Sequence, residues 1–250
     1  MAIGKFFSKK QYVIDYASAS FTGTRKRNED SVLAIGGEGR HCFVVADGLG
    51  GMGLGDVASQ TLVEVFKREF DAAVKPKQFL IHAFNKAQEE ICAIQEKAGK
   101  TNQMRTTAVA LVEINSKLAW GYIGDSRLYR FADGIFIERT SDHSVPQMLL
   151  KSGQIKEEDI ATHPDRSRLL RSMGDKWTKP RYEVSKEISL RHNAQFLLCS
   201  DGIWEIVPQN ELVPKLDAQT WLDGIISNIQ KAEQGGADCD NYSAVTVVVR

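Results

Sequence analysis

The sequence predicts an α+β protein of packed, largely antiparallel sheets with helices outside them. Runs rich in branched and aromatic residues recur along the chain, and two long helical stretches follow one another with no strand between. A hairpin signal also joins two of the later runs. A doubly wound parallel sheet alternates strand and helix; this order does not.

The first β-type runs are YVIDYASAS (12–20), SVLAI (31–35) and HCFVVA (41–46). Apolar residues then recur at spacings of three and four. They are Ala58, Leu62, Val65, Phe66 and Phe70 over 56–70, and Leu80, Phe84, Ala87, Ile91, Ile94 and Ala98 over 77–98. That period turns one stripe of a helix towards a core. TTAVALVEI (106–114) and KLAWGYI (117–123) restore the strand pattern, and RLYRF and IFIERT flank Ala132-Asp133-Gly134 as a hairpin. Residues 141–180 are polar and break the pattern, which predicts a small helical insertion, not a second domain. RYEVSKEISL (181–190), QFLLC (195–199) and YSAVTVVV (242–249) complete the strands. Trp221, Leu222, Ile225, Ile226 and Ile229 predict a helix before the last of them. The expected organisation is an N-terminal extension, 1–12, and a single domain, 13–250.

Thirty-two basic and thirty-two acidic residues cancel, so no global field favours nucleic acid or an anionic membrane. No apolar run approaches the ~20 residues that span a bilayer. The N-terminus lacks the apolar core and small-residue cleavage site of a signal peptide. Cys42, Cys92, Cys199 and Cys239 contain no C-x-x-C pair and read as reduced thiols. Together these give the expectation of a cytoplasmic protein, with nothing that demands more than a monomer.

Gly48-Leu49-Gly50-Gly51-Met52-Gly53 fits the glycine pattern of a dinucleotide site. Its context argues otherwise. Asp47 precedes the first glycine and would repel a pyrophosphate, the chain beyond Asp71 passes into another helix, and no Gly-Lys-Ser/Thr ending follows.

Acids at strand ends offer a better account. Asp47-Gly48, Gly124-Asp125 and Asp201-Gly202 each end an apolar run; Glu29-Asp30 and Asp240-Asn241 each precede one. One Asp-Gly is an ordinary turn. Five such sites on neighbouring strands would crowd carboxylates at one rim, where they repel unless a cation neutralises them. Oxygen ligands suit Mg²⁺, Mn²⁺ or Ca²⁺. His41, His82, His143, His163 and His192 show no paired ligand spacing, which disfavours zinc. Carboxylates around two metals form an apparatus for activating water against a phosphoryl centre. Arg25, four residues before Glu29, is the natural cation for the phosphoryl oxygens. The plainer alternative, that Arg25, Lys26 and Arg27 are a solvated basic run, stays open at this stage.

These motifs resemble the metal-dependent protein serine/threonine phosphatases of type 2C, in their compact bacterial form. The matching pieces are GTRKRNEDS (23–31), VVADGLGG (44–51), RTTAVALV (105–112), GYIGDSRLYRF (121–131), SDHSVPQML (141–149), HPDRSRLLRSMG (163–174), LLCSDGIWE (197–205) and DNYSAVTVVV (240–249). They follow family order over nearly the whole chain. The resemblance implies a four-layer αββα sandwich with two Mn²⁺ or Mg²⁺ ions at one end. It places Asp47 between the metals with the Gly48 carbonyl, and Asp201 and Asp240 on one ion. Glu29 falls on the side of the other, with Asp30 as a supporting acid. Asp125 with Asp201 matches a third, weaker metal position. Arg25 matches the phosphate-binding arginine, which makes Arg25, Asp47 and Asp201 the catalytic set. Residues 141–180 match a flap beside the site. Phosphoprotein substrates of a Ser/Thr kinase are the implied partners.

One position departs from relatives of higher organisms, which often carry histidine after Asp-Gly; here it is Leu49. His143 and His163 are then the stand-in candidates for an acid, each with a structural alternative. Hydrolysis of small phosphoesters and a silent binding module are the competing functions.

Overall fold

The computed structural model describes residues 12–49, 54–101 and 103–250. All but Tyr12 of the expected N-terminal extension, and Gly50 to Gly53 of the glycine run, lie outside them. Strands β1 (Ile14–Phe21), β2 (Ser31–Gly37), β3 (Arg40–Ala46) and the two-residue β4 (Gly48–Leu49) precede helices α1 (Gly55–Phe70) and α2 (Pro76–Lys97). Next come β5 (Arg105–Thr106), β6 (Ala108–Ile114), β7 (Lys117–Ile123), β8 (Arg127–Ala132) and β9 (Ile135–Arg139). The insertion carries α3 (Val145–Lys151). After it follow β10 (Glu183–Val184), β11 (Ile188–Ser189), β12 (Ala194–Cys199), α4 (Asp201–Trp204), α5 (Ala218–Gln234) and β13 (Tyr242–Val249).

Among the described residues two large antiparallel sheets form, ordered β1-β13-β12-β8-β9 and β10-β7-β6-β3-β2, with β11 also on β7, and β4 pairs with β5 apart from them. Alternation along each strand sorts side chains between two interfaces. In β3, Cys42, Val44 and Ala46 pack under α1 and α2, while Phe43 and Val45 face the other sheet. β6 divides likewise, Ala108, Ala110 and Val112 towards the helices and Val109 and Leu111 inward. In β12, Phe196 and Leu198 close the inter-sheet core; Leu197 and Cys199 meet α5 through Trp221, Leu222 and Ile225. The result is four layers, helices–sheet–sheet–helix. Each Val, Leu or Phe fully buried in these interfaces contributes about 1.5–3 kcal/mol.

Two strands differ from expectation. Residues 181–190 do not run as one strand, because Ser185 Oγ accepts the Trp120 N–H at 3.0 Å and interrupts the ladder between β10 and β11. Residues 106–114 break at Thr107, whose N–H goes to the Asp47 carbonyl at 2.8 Å. The insertion is helical only over Val145–Lys151 and the single turn Glu157–Asp159. Short α4, starting at Asp201, had no periodic signal.

Register then brings the acids to one rim. Ser31 lies opposite Ala46, Ala108 opposite Ile123, and Cys199 opposite both Ala244 and Arg127. The ends of β3, β7 and β12 and the beginnings of β2 and β13 therefore share an edge.

Candidate metal centre

Two loops interlock at this edge. Gly23, at φ +62°, brings the β1–β2 loop so near the loop before β13 that a Cβ there would lie 2.2 Å from the Asp240 carbonyl oxygen. Only glycine accepts both the conformation and the approach. Asn241 ties the two loops together. Its Oδ1 accepts the Glu29 N–H at 2.8 Å, and its amide donates to the Thr22 and Arg27 carbonyls, each at 2.8 Å. Arg25 Nη2 donates to Asp240 Oδ2 at 2.8 Å, and the Asn241 N–H donates to Asp240 Oδ1 at 2.8 Å. Lys26 and Arg27 are exposed. Arg25 is exposed as well, and among the described residues it alone of the three forms an ion pair.

Asp47 is gripped by its backbone. Its N–H donates to Thr107 Oγ1 at 3.0 Å, and its carbonyl accepts from the Thr107 N–H and Thr106 Oγ1, both at 2.8 Å. The Gly48 N–H donates to the Glu29 carbonyl at 3.1 Å, which also accepts from Ser59 Oγ at 2.6 Å. Gly55 opens α1 against this junction: a Cβ on it would lie 2.7 Å from the Gly48 oxygen and 2.8 Å from Glu29 Oε2. The last glycine of the run is thus a packing requirement of the Glu29–Gly48 contact.

The carboxylates face one another. Burial, then the charges of Asp201, Asp30, Asp125 and Asp240, push the Asp47 carboxyl well above its ordinary value. Burial, then Asp125, Glu205, Asp240 and Asp30, do the same to Asp201. Asp125 is pushed up to about 7, by burial first and Asp142 next. Burial raises Asp30 to about 6 against the opposing hydrogen bonds of Ser243 and Ser200. Glu29 is raised by burial, Asp56 and Asp240. Among the described residues these acids stand as neighbours, and no three close on a single point. Asp240 is turned onto Arg25 instead.

A hard cation fits this chemistry. The facing groups are carboxylates and carbonyls, all oxygen acceptors. Buried Asp30 Oδ1 and Asp125 Oδ1 find no hydrogen-bond partner among the described residues. Unpaired buried acceptors and mutually repelling carboxylates are both relieved by a divalent ion.

The rim, its acids and the four layers can be set against known proteins. Residues 20–238 match the profile of protein phosphatase 2C. The chain belongs to that family. Among its phosphatase 2C relatives, the serine/threonine phosphatase Stp of Listeria monocytogenes is 32% identical across 82% of this chain and 82% of its own length. The crystal structure of the serine/threonine phosphatase PstP/Ppp of Mycobacterium tuberculosis aligns at a TM-score of 0.80 and 28% identity. It covers 94% of this chain and 98% of that one. The catalytic domain of PstP in complex with two manganese ions aligns at a TM-score of 0.80 and 26% identity, covering 96% and 99%. The four-layer sandwich expected from the sequence is the phosphatase 2C fold.

All the expected site residues gather here: Arg25, Glu29, Asp30, Asp47, Gly48, Asp125, Asp201 and Asp240. The histidines stand apart in role. His143 Nδ1 accepts the Gly124 N–H at 3.2 Å and Nε2 meets Glu183 Oε1 at 3.1 Å, so both nitrogens are engaged. Its ring stacks on Tyr122. His163 Nδ1 accepts the Asp165 N–H at 3.0 Å within its own turn. The structural alternative describes His143 fully. Glu205 was missed by sequence reasoning: it lies one helical turn after Asp201, is raised mainly by burial, and feels Asp240. The i, i+4 spacing from Asp201 was its available signal.

Proposed function

We propose that this chain is a metal-dependent protein phosphatase that hydrolyses phosphoserine and phosphothreonine in proteins. The observation that carries this is the rim of mutually repelling carboxylates with Arg25 directly beside it. The Asp47 carboxylate, with the Gly48 carbonyl added, would hold Mn²⁺ or Mg²⁺. Asp201 and Asp240 would hold one ion and Glu29 the side of the other, with Asp30 supporting and Asp125 with Asp201 a weaker third position. When bound, such ions acidify water and neutralise phosphoryl oxygens for in-line displacement.

The chain's own residues supply the rest. Arg25, exposed at the rim, presents a planar guanidinium that can hold two phosphoryl oxygens once it leaves Asp240. Thr106 and Thr107 fix Asp47, and Asn241 fixes the loop that carries Arg25 and Glu29. Leu49 pairs with Arg105 and offers no proton to a leaving alkoxide.

The natural substrates in this reading are phosphoproteins made by a Ser/Thr kinase in the cytoplasm, met by a monomeric enzyme. The four cysteines are free thiols, which suits a reducing compartment, and no helix is long and apolar enough to cross a membrane among the described residues. Phosphate release from a phosphothreonine peptide tests the proposal. Release should require Mn²⁺, stop with chelator, and fall at least a thousandfold in Asp201→Asn. Unchanged turnover in that variant would refute the site assignment. Faster turnover of sugar phosphates than of phosphopeptides would favour the small-phosphoester function.

A further inference from the structure

At the C-terminal end of the insertion, a cleft of about 860 Å³ opens between α2 and the strap 176–181, lined by Gln88, Glu89, Cys92, Trp177, Thr178 and Pro180 together with three cations. The cations are Lys176, Lys179 and Arg181. Lys176 and Lys179 are exposed and enter no ion pair among the described residues; Arg181 spends one nitrogen on the Leu170 carbonyl at 2.7 Å. Glu89, the acid of the lining, already meets Lys86 at 3.5 Å. In a chain whose total charge is zero, the lining of this cleft carries three cations against one acid, with Asp175 beside it. Trp177 gives it a half-buried aromatic wall anchored on the helix-side core.

The residues leading into the strap are tied to the rim. Met173 and Thr106 exchange backbone hydrogen bonds at 3.2 and 2.8 Å, and Thr106 Oγ1 holds the Asp47 carbonyl. Gln88 accepts the Gly174 N–H at 2.8 Å and donates to the Asp175 carbonyl at 2.7 Å. Two residues separate Met173 from Lys176, so the mouth of the cleft lies within about 20 Å of Asp47, a span of at most about six extended residues.

We infer that this cleft docks an acidic segment of the phosphoprotein substrate, several residues away from the phosphorylated one. The inference rests on the phosphatase reading and refines its substrate class. Lys176, Lys179 and Arg181 pair with Asp or Glu side chains, or with a second phosphate, while Trp177 covers an apolar neighbour. The cleft thus selects phosphosites embedded in acidic sequence.

Two phosphothreonine peptides, one with an acidic flank and one with a neutral flank, provide the test in wild type and in Lys176→Glu/Lys179→Glu. Anisotropy of the labelled peptides reads binding, and phosphate release with Mn²⁺ reads turnover. Wild type should bind the acidic peptide roughly tenfold tighter, with KM lower by the same factor and the advantage shrinking in high salt. The double variant should lose the preference while turning over p-nitrophenyl phosphate at the wild-type rate. Equal binding of both peptides by wild type, or a preference that survives in the variant, would overturn the inference. So would displacement of the acidic peptide by a single-stranded oligonucleotide at equal concentration. If wild type releases phosphate from no substrate, the phosphatase reading fails, and the binding arm still decides the cleft.

Discussion

Asp47 is tightly held by its backbone, yet among the described residues no hydrogen bond reaches its carboxylate. That carboxylate is desolvated among four other acids, a costly position without a counter-charge. Replacing it by Asn keeps the shape and removes the charge. Asp47→Asn should therefore make the metal-free protein more stable at pH 8, by about 1–2 kcal/mol, while abolishing Mn²⁺-dependent turnover. Urea unfolding in chelator measures the first effect, and a variant less stable than wild type would contradict the crowding argument. The acids themselves were legible, because Asp-Gly directly after an apolar run marks a strand end. The roles of Asn241 and Glu205 were not. Asn241 works on the carbonyls of Thr22 and Arg27, 219 and 214 residues away, and no local pattern encodes such a contact.

At the level of elements, long periodic segments were readable and short ones were not. α1, α2 and α5 and the buried strands matched their apolar spacing, since one face of each meets a core. β10 and β11 are two residues each, their limits set by a Ser185 side chain on a strand 65 residues earlier. The insertion after β9 is likewise defined by its anchors. His143 fastens its start to Gly124 and Glu183, and Arg127 clamps Asp142 with bonds of 2.9 and 2.6 Å. Burial is the chief reason His143 resists protonation in the fold. Its folded value lies below 6.5, so the unfolded chain binds more protons, and stability falls as pH drops through about 6.5 until the folded value is passed. His143→Gln should remove up to ~1.4 kcal/mol per pH unit of that slope. Unfolding titrations between pH 5 and 7 read this directly. Glu183, whose value is lowered, loses its contribution only below about 4.5 and stays outside the window. A slope identical in wild type and variant would show that the histidine carries no proton linkage.

For the molecule as a whole, the site sits where two sheets and both helix layers end, and its charge opposes the fold that builds it. Cations that bind only the folded chain offset this. At a hundred times its dissociation constant, Mn²⁺ at one site should add about 2.7 kcal/mol, or roughly 5–10 °C in Tm for a chain of this size. Calorimetry with Mn²⁺ and with chelator compares the two, and coincident melting curves would argue against metal at this rim. The layered architecture followed from the order of strand-like and helical stretches. The sheet order did not, because β1 pairs with β13 across nearly the full chain.

That pairing has a consequence for synthesis on the ribosome. β13 lies between β1 and β12 in its sheet, and the Arg25 loop leans on residues immediately ahead of it. The earliest and latest translated parts of the domain must therefore meet before any phosphoryl pocket exists. Such long-range closure slows folding, and a polypeptide ending before residue 240 lacks the Asp240 and Asn241 side chains on which the Arg25 loop leans.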